Sequence, residues 1–85
     1  MITEAEARVM AERVVLVDKL GLGVRDISLW DDLRPPRPNL YNIDLRHCWI
    51  AYVAREPIAL RSSLIIAIDR DFGVVQFVGS ANDEG

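Results

Sequence analysis

Eighty-five residues, 51% of them apolar and 27% charged, fit a single globular domain spanning 1–85 and leave no room for a second. Ten Lys and Arg against 13 Asp and Glu leave a net charge of −3, which argues against a nucleic-acid partner. Cys48 is the one cysteine and His47 the one histidine, which excludes an intrachain disulfide and a Cys-based zinc cluster.

Thr3 followed by Glu6 reads as a capping box, with Ile2 ahead of it in the staple position. The helix it opens is expected over residues 4–20. Ala5, Val9, Met10, Val14, Leu16, Val17 and Leu20 recur at helical spacing and predict the buried stripe. Glu4, Arg8, Glu12 and Lys19 fall on the other side, with Glu4–Arg8 and Arg8–Glu12 spaced as ion pairs. Gly21 and Gly23 supply the stop.

The period then changes to that of strands. Residues 24–31 predict a first strand, with Ile27, Leu29 and Trp30 as its apolar members. Pro35, Pro36 and Pro38 make 32–43 a stiff, extended loop. Residues 47–54, with Trp49, Ile50, Tyr52 and Val53, predict a central strand buried on both faces. Residues 55–62, with Pro57, read as a connection. Residues 63–69 and 73–78 read as two strands joined by Asp69-Arg70-Asp71-Phe72-Gly73, whose early Asp and late Gly mark a hairpin. Residues 80–85 read as a frayed polar tail. The fold class is α+β: one N-terminal amphipathic helix packed on an antiparallel sheet of about four strands in meander order. The helix stripe covers one sheet face. The other face is either solvated or covered by a partner.

The residues that could carry chemistry do not converge. His47 and Cys48 are neighbours, and neighbours on a strand point to opposite faces. Gly21-Leu22-Gly23 follows a helix instead of leading into one, so it is no phosphate cradle. Asp31-Asp32 and the Asp69/Asp71 pair stand where strands end and turns form, the usual place for Asp. No catalytic, cofactor-binding or metal-binding residue is therefore assigned. A small enzyme using these acids or His47 is the third-ranked reading.

Residues 30–46 are richer in binding features. Trp, Tyr and Arg dominate interface hot spots, and a proline-stiffened loop loses little entropy on binding. Trp30, Asp31, Asp32, Arg37, Tyr41 and Asp44 are the expected partner contacts. The competing expectation is that the aromatic residues fold back onto the sheet. Asp26, Asp31, Asp32 and Asp44 are candidates for an acidic patch suited to a basic partner.

Two segments, Met1-Ile2-Thr3-Glu4-Ala5-Glu6-Ala7 and Leu64-Ile65-Ile66-Ala67-Ile68-Asp69-Arg70-Asp71-Phe72-Gly73-Val74-Val75, carry a family pattern. It continues in Val78-Gly79-Ser80-Ala81 and in the Trp49-Ile50-Ala51-Tyr52-Val53 strand. The pattern resembles the immunity protein 35 family of bacterial polymorphic-toxin systems. The resemblance implies a small α+β protein that neutralises a toxin by binding it, with no catalytic residue. The ranked alternative is a self-associating, structural or chaperone-like protein, a homodimer built through an exposed sheet face or edge. Met1 leads by way of Ile2 into Thr3-Glu4-Ala5-Glu6, which does not read as a signal peptide, and the longest apolar runs, Val14–Val17 and Leu64–Ile68, are far short of a membrane span. A cytoplasmic protein without membrane contact is expected.

Overall fold

The computed structural model describes residues 1–40, 43–54 and 63–81. Helix α1 (Glu4–Asp18) precedes β1 (Gly23–Leu29), a 3-10 turn (Trp30–Asp32), β2 (Cys48–Ala54), β3 (Leu64–Asp69) and β4 (Val75–Ser80). The strands form one antiparallel sheet in the order β1-β2-β3-β4, with α1 packed on it. This is the α+β meander the sequence predicts. The connection at 55–62 and the last four residues of the expected tail lie outside the described residues. Ser80 belongs to β4, and Ala81 is fully buried, so the tail does not begin at residue 80.

The capping box at the start of α1 is complete. Thr3 Oγ1 accepts the Glu6 N–H at 3.1 Å, and Glu6 Oε1 accepts the Thr3 N–H at 2.8 Å. The helix ends earlier than its periodicity suggests. Lys19 takes the left-handed conformation at φ 54°, and its N–H bonds back to the Val15 carbonyl. The residue taking the helix-ending backbone turn is thus a lysine, two positions ahead of the first glycine.

The buried face of α1 is also not the expected stripe. Ala7, Ala11 and Val15 are the residues pressed onto the sheet, with Met10, Val14 and Leu20 packed beside them. Ala5, Val9, Leu16 and Val17 face solvent. The reason is steric: alanines four residues apart let a helix lie close to a sheet, where larger side chains would hold it away. Nor do the expected ion pairs form, since neither ion pair among the described residues involves Glu4, Arg8 or Glu12. Glu12 Oε1 instead accepts the Val24 N–H at 2.7 Å and ties the helix to the start of β1.

Strands β2 and β3 send alternate side chains into two separate layers. Trp49, Ala51, Val53, Ile66 and Ile68 join Ile27 and the helix in the first layer. Cys48, Ile50, Ile65 and Ala67 join Leu45 and Ala81 in the second. The register makes this consistent across the sheet, pairing Trp49 with Ile68, Ile50 with Ala67 and Ala51 with Ile66. The second layer is roofed by the chain itself: Trp30, Leu33, Leu40 and Ile43 pack against it, alongside Tyr52 and Phe77 from the sheet. The face expected to be solvated or covered by a partner is therefore covered by the segment after β1.

Local bonds fix the ends of the sheet. In the β3–β4 hairpin, Asp69 Oδ1 accepts the N–H groups of Asp71 (2.8 Å) and Phe72 (2.9 Å). Gly73 sits at φ 70°, a backbone that suits glycine, and its N–H bonds the Asp69 carbonyl at 2.8 Å. The amino terminus is tied down beside this hairpin. The Ile2 N–H reaches the Arg70 carbonyl at 2.7 Å, and the Trp49 indole donates to the Ile2 carbonyl at 3.2 Å.

Candidate protein-binding site

The site is built where β1 stops. Trp30 leaves the pleat expected for it and opens the 3-10 turn, which the Leu33 N–H closes onto the Trp30 carbonyl at 3.2 Å. Its indole N–H donates to the Pro38 carbonyl at 3.0 Å, and Pro38 is one of the largest fully buried residues. Arg37 lies over the Trp30 ring, its guanidinium carbon 4.7 Å from the ring centre. The same guanidinium donates through Nε to the Leu33 carbonyl at 3.0 Å and through Nη2 to the Asp31 carbonyl at 3.3 Å. Trp30 has thus folded back onto the sheet, and Arg37 is stacked outside it.

The other wall is the stretch entering β2. Asp44 Oδ1 accepts both the backbone N–H and the Nε–H of Arg46 at 3.0 Å, and Oδ2 accepts its Nη2–H at 2.8 Å. The side-chain hydrogen bond from Arg46, then the backbone one, hold the Asp44 carboxyl well below the usual carboxylate range. Bonding to Asp44 raises the Arg46 pKa in turn. Between the two walls lies a cavity of about 300 Å³, lined by Trp30, Pro38, Asn39, Leu40, Ile43, Asp44, Leu45 and Arg46. That is at the small end for ligand pockets and suits a side chain or two from a partner.

Of the expected contacts, Trp30 and Asp44 line this cavity, and Asp31 and Arg37 stand at the adjoining turn. Asp32 is exposed in the same turn, and Tyr41 lies outside the described residues. The four acids do not act as one patch: Asp26 pairs with Arg25 and Asp44 with Arg46, both at 2.8 Å. Asp31 and Asp32 remain exposed without an ion pair among the described residues. Pro38, Asn39, Leu40, Ile43, Leu45 and Arg46 were missed as site residues. Three prolines followed by Leu40, Ile43 and Leu45 were a signal, because a stiff chain that carries apolar side chains loses little entropy in packing them.

The residues weighed for catalysis are placed elsewhere. His47 is exposed, with Nδ1 3.4 Å from Arg70 Nη2. Cys48 is buried in the second layer, where burial, then the charges of Asp69 and Asp44, push its thiol up to about 11. Asp69 serves its turn. Among the described residues, no three His, Cys, Asp or Glu side chains gather as metal ligands. No described helix is long and apolar enough to cross a membrane. Comparison with family models, with curated proteins and with solved structures finds no match.

Proposed function

We propose that this protein is a non-catalytic binding module of the cytoplasm, an immunity protein that neutralises a cognate bacterial toxin by occluding it. The observation that carries the reading is the apolar cavity framed by Trp30 and the Asp44–Arg46 pair, with Asp31 and Asp32 exposed beside it. Leu40, Ile43 and Leu45 in its lining offer an apolar anchor point. Exposed carboxylates at its edge steer a basic surface toward it. The segment is held by its own hydrogen bonds before any partner arrives, so little ordering entropy is lost on binding. The resemblance of the amino-terminal and hairpin segments to the immunity protein 35 family supports the same reading.

The test begins with recovery of the tagged protein from its host lysate and identification of what accompanies it. A stoichiometric partner carrying a toxic domain is expected. Substituting Asp31→Arg and Asp44→Arg together, in a protein whose circular dichroism is unchanged, is expected to weaken that complex by about 2 kcal/mol or more. Unchanged affinity in the folded double variant would remove the cavity from the interface. Recovery of the protein alone would favour the self-associating alternative.

A further inference from the structure

Several polar groups in the lining of the candidate cavity are already held by the chain. The Trp30 indole N–H, the one donor of its ring, is engaged by the Pro38 carbonyl at 3.0 Å. The Pro38 nitrogen carries no hydrogen. The Asn39 N–H is engaged by the Ala81 carbonyl at 3.1 Å, and the Leu45 carbonyl by the Cys48 N–H at 3.0 Å. Asp44 and Arg46 close on each other through side-chain hydrogen bonds of 3.0 and 2.8 Å, so together they bring no net charge to the lining. The other lining side chains are mainly hydrocarbon, from Pro38, Leu40, Ile43 and Leu45. Asp31 and Asp32 are exposed and stand outside the lining.

A group that enters this space leaves its hydration behind. An ammonium, guanidinium, carboxylate or amide would exchange hydrogen bonds to water for groups already engaged with one another. Taking Asp44 or Arg46 for itself would leave the other charge of the pair without its partner. An aliphatic or aromatic side chain gives up no such bonds and gains by leaving water. A volume of about 300 Å³ has room for it.

We propose, resting on the reading of this cavity as the protein-binding site, that the partner anchors itself here through an uncharged apolar side chain of leucine or phenylalanine size. Its basic residues stay outside the cavity, facing Asp31 and Asp32. The anchor supplies affinity and the rim supplies orientation. The Asp44–Arg46 pair is then a selectivity device: closed on itself, it keeps charged side chains out. Opening it changes what the cavity takes, because Asp44→Ala leaves the Arg46 guanidinium without its carboxylate.

Titration of the isotope-labelled protein with the N-acetyl amides of leucine, phenylalanine, glutamine and arginine, followed through amide and indole N–H chemical shifts, tests the proposal. The leucine and phenylalanine amides are expected to shift the signals of Trp30, Leu40, Leu45 and Arg46 saturably, in the millimolar range and about tenfold or more tightly than the glutamine and arginine amides. High salt is expected to leave that order unchanged. In folded Asp44→Ala, N-acetylglutamate amide is expected to shift the same signals, which it leaves in place in the unaltered protein. Glutamine or arginine amide binding as tightly as leucine amide overturns the proposal, and so does the absence of any saturable shift. Selective binding of the apolar amides with no partner recovered from the lysate would keep the cavity's preference and remove the immunity reading. A recovered toxin whose complex depends on Asp31 and Asp44, alongside unselective amides, would do the reverse.

Discussion

Cys48 shows how burial sets the chemistry of a single side chain. Its thiol is held at about 11, against an ordinary 9.0, chiefly because the second layer excludes water from it. The folded-state value lies above the unfolded one, so the stability Cys48 contributes is fully present below pH 9.0 and is lost as pH rises toward 11. Unfolding midpoints in denaturant are expected to fall across this window, and to fall less in Cys48→Ala. Equal slopes in the two proteins would assign the loss to other groups. The local chemistry at Thr3, Glu6, Asp69 and Gly73 was legible in the sequence because each bond joins residues within four positions of one another. A cap or a turn needs no distant neighbour to form, so its residues announce it.

At the scale of elements, legibility breaks down where the partner is remote. The helix existed as predicted, yet its inward side was misassigned, because Val9, Leu16 and Val17 outweigh Ala7 and Ala11 in any hydrophobic pattern. Which side faces the sheet was decided by how closely the backbone could approach, and that depends on β1 and β2. The segment after β1 is a similar case. Its prolines marked a stiff loop correctly, but whether Trp30 turned inward or outward was open until the second layer was seen to need a roof. Trp30 is therefore both a wall of the cavity and a support of the fold. Trp30→Ala is expected to lower stability by about 2 kcal/mol, less than a fully buried tryptophan would cost, since the residue is only partly buried beneath Arg37. Thermal or denaturant unfolding measures this directly. A change below about 0.5 kcal/mol would show that the segment adds little to the second layer.

For the whole molecule, the decisive feature is one sheet serving two thin layers. A chain of 85 residues builds neither layer deeply, and β2 and β3 are the strands that send fully buried side chains to both. Ile50 is fully buried at the centre of the second layer, and Ile50→Ala is expected to cost about 2–5 kcal/mol. That is a large part of the stability of a domain this size, and loss of the cooperative unfolding transition at 37 °C is the expected readout. A variant that unfolds with an unchanged midpoint would mean that the second layer collapses around the gap.

The division into layers has a further consequence for spectroscopy. The chain has two tryptophans, and the fold assigns one to each layer: Trp49 beneath the helix, bonded to Ile2, and Trp30 beneath Arg37, bonded to Pro38. Replacing either with phenylalanine leaves a fluorophore that reports on one side of the sheet alone. The two emission signals then time the docking of the helix and the closing of the roof separately, within a single small domain.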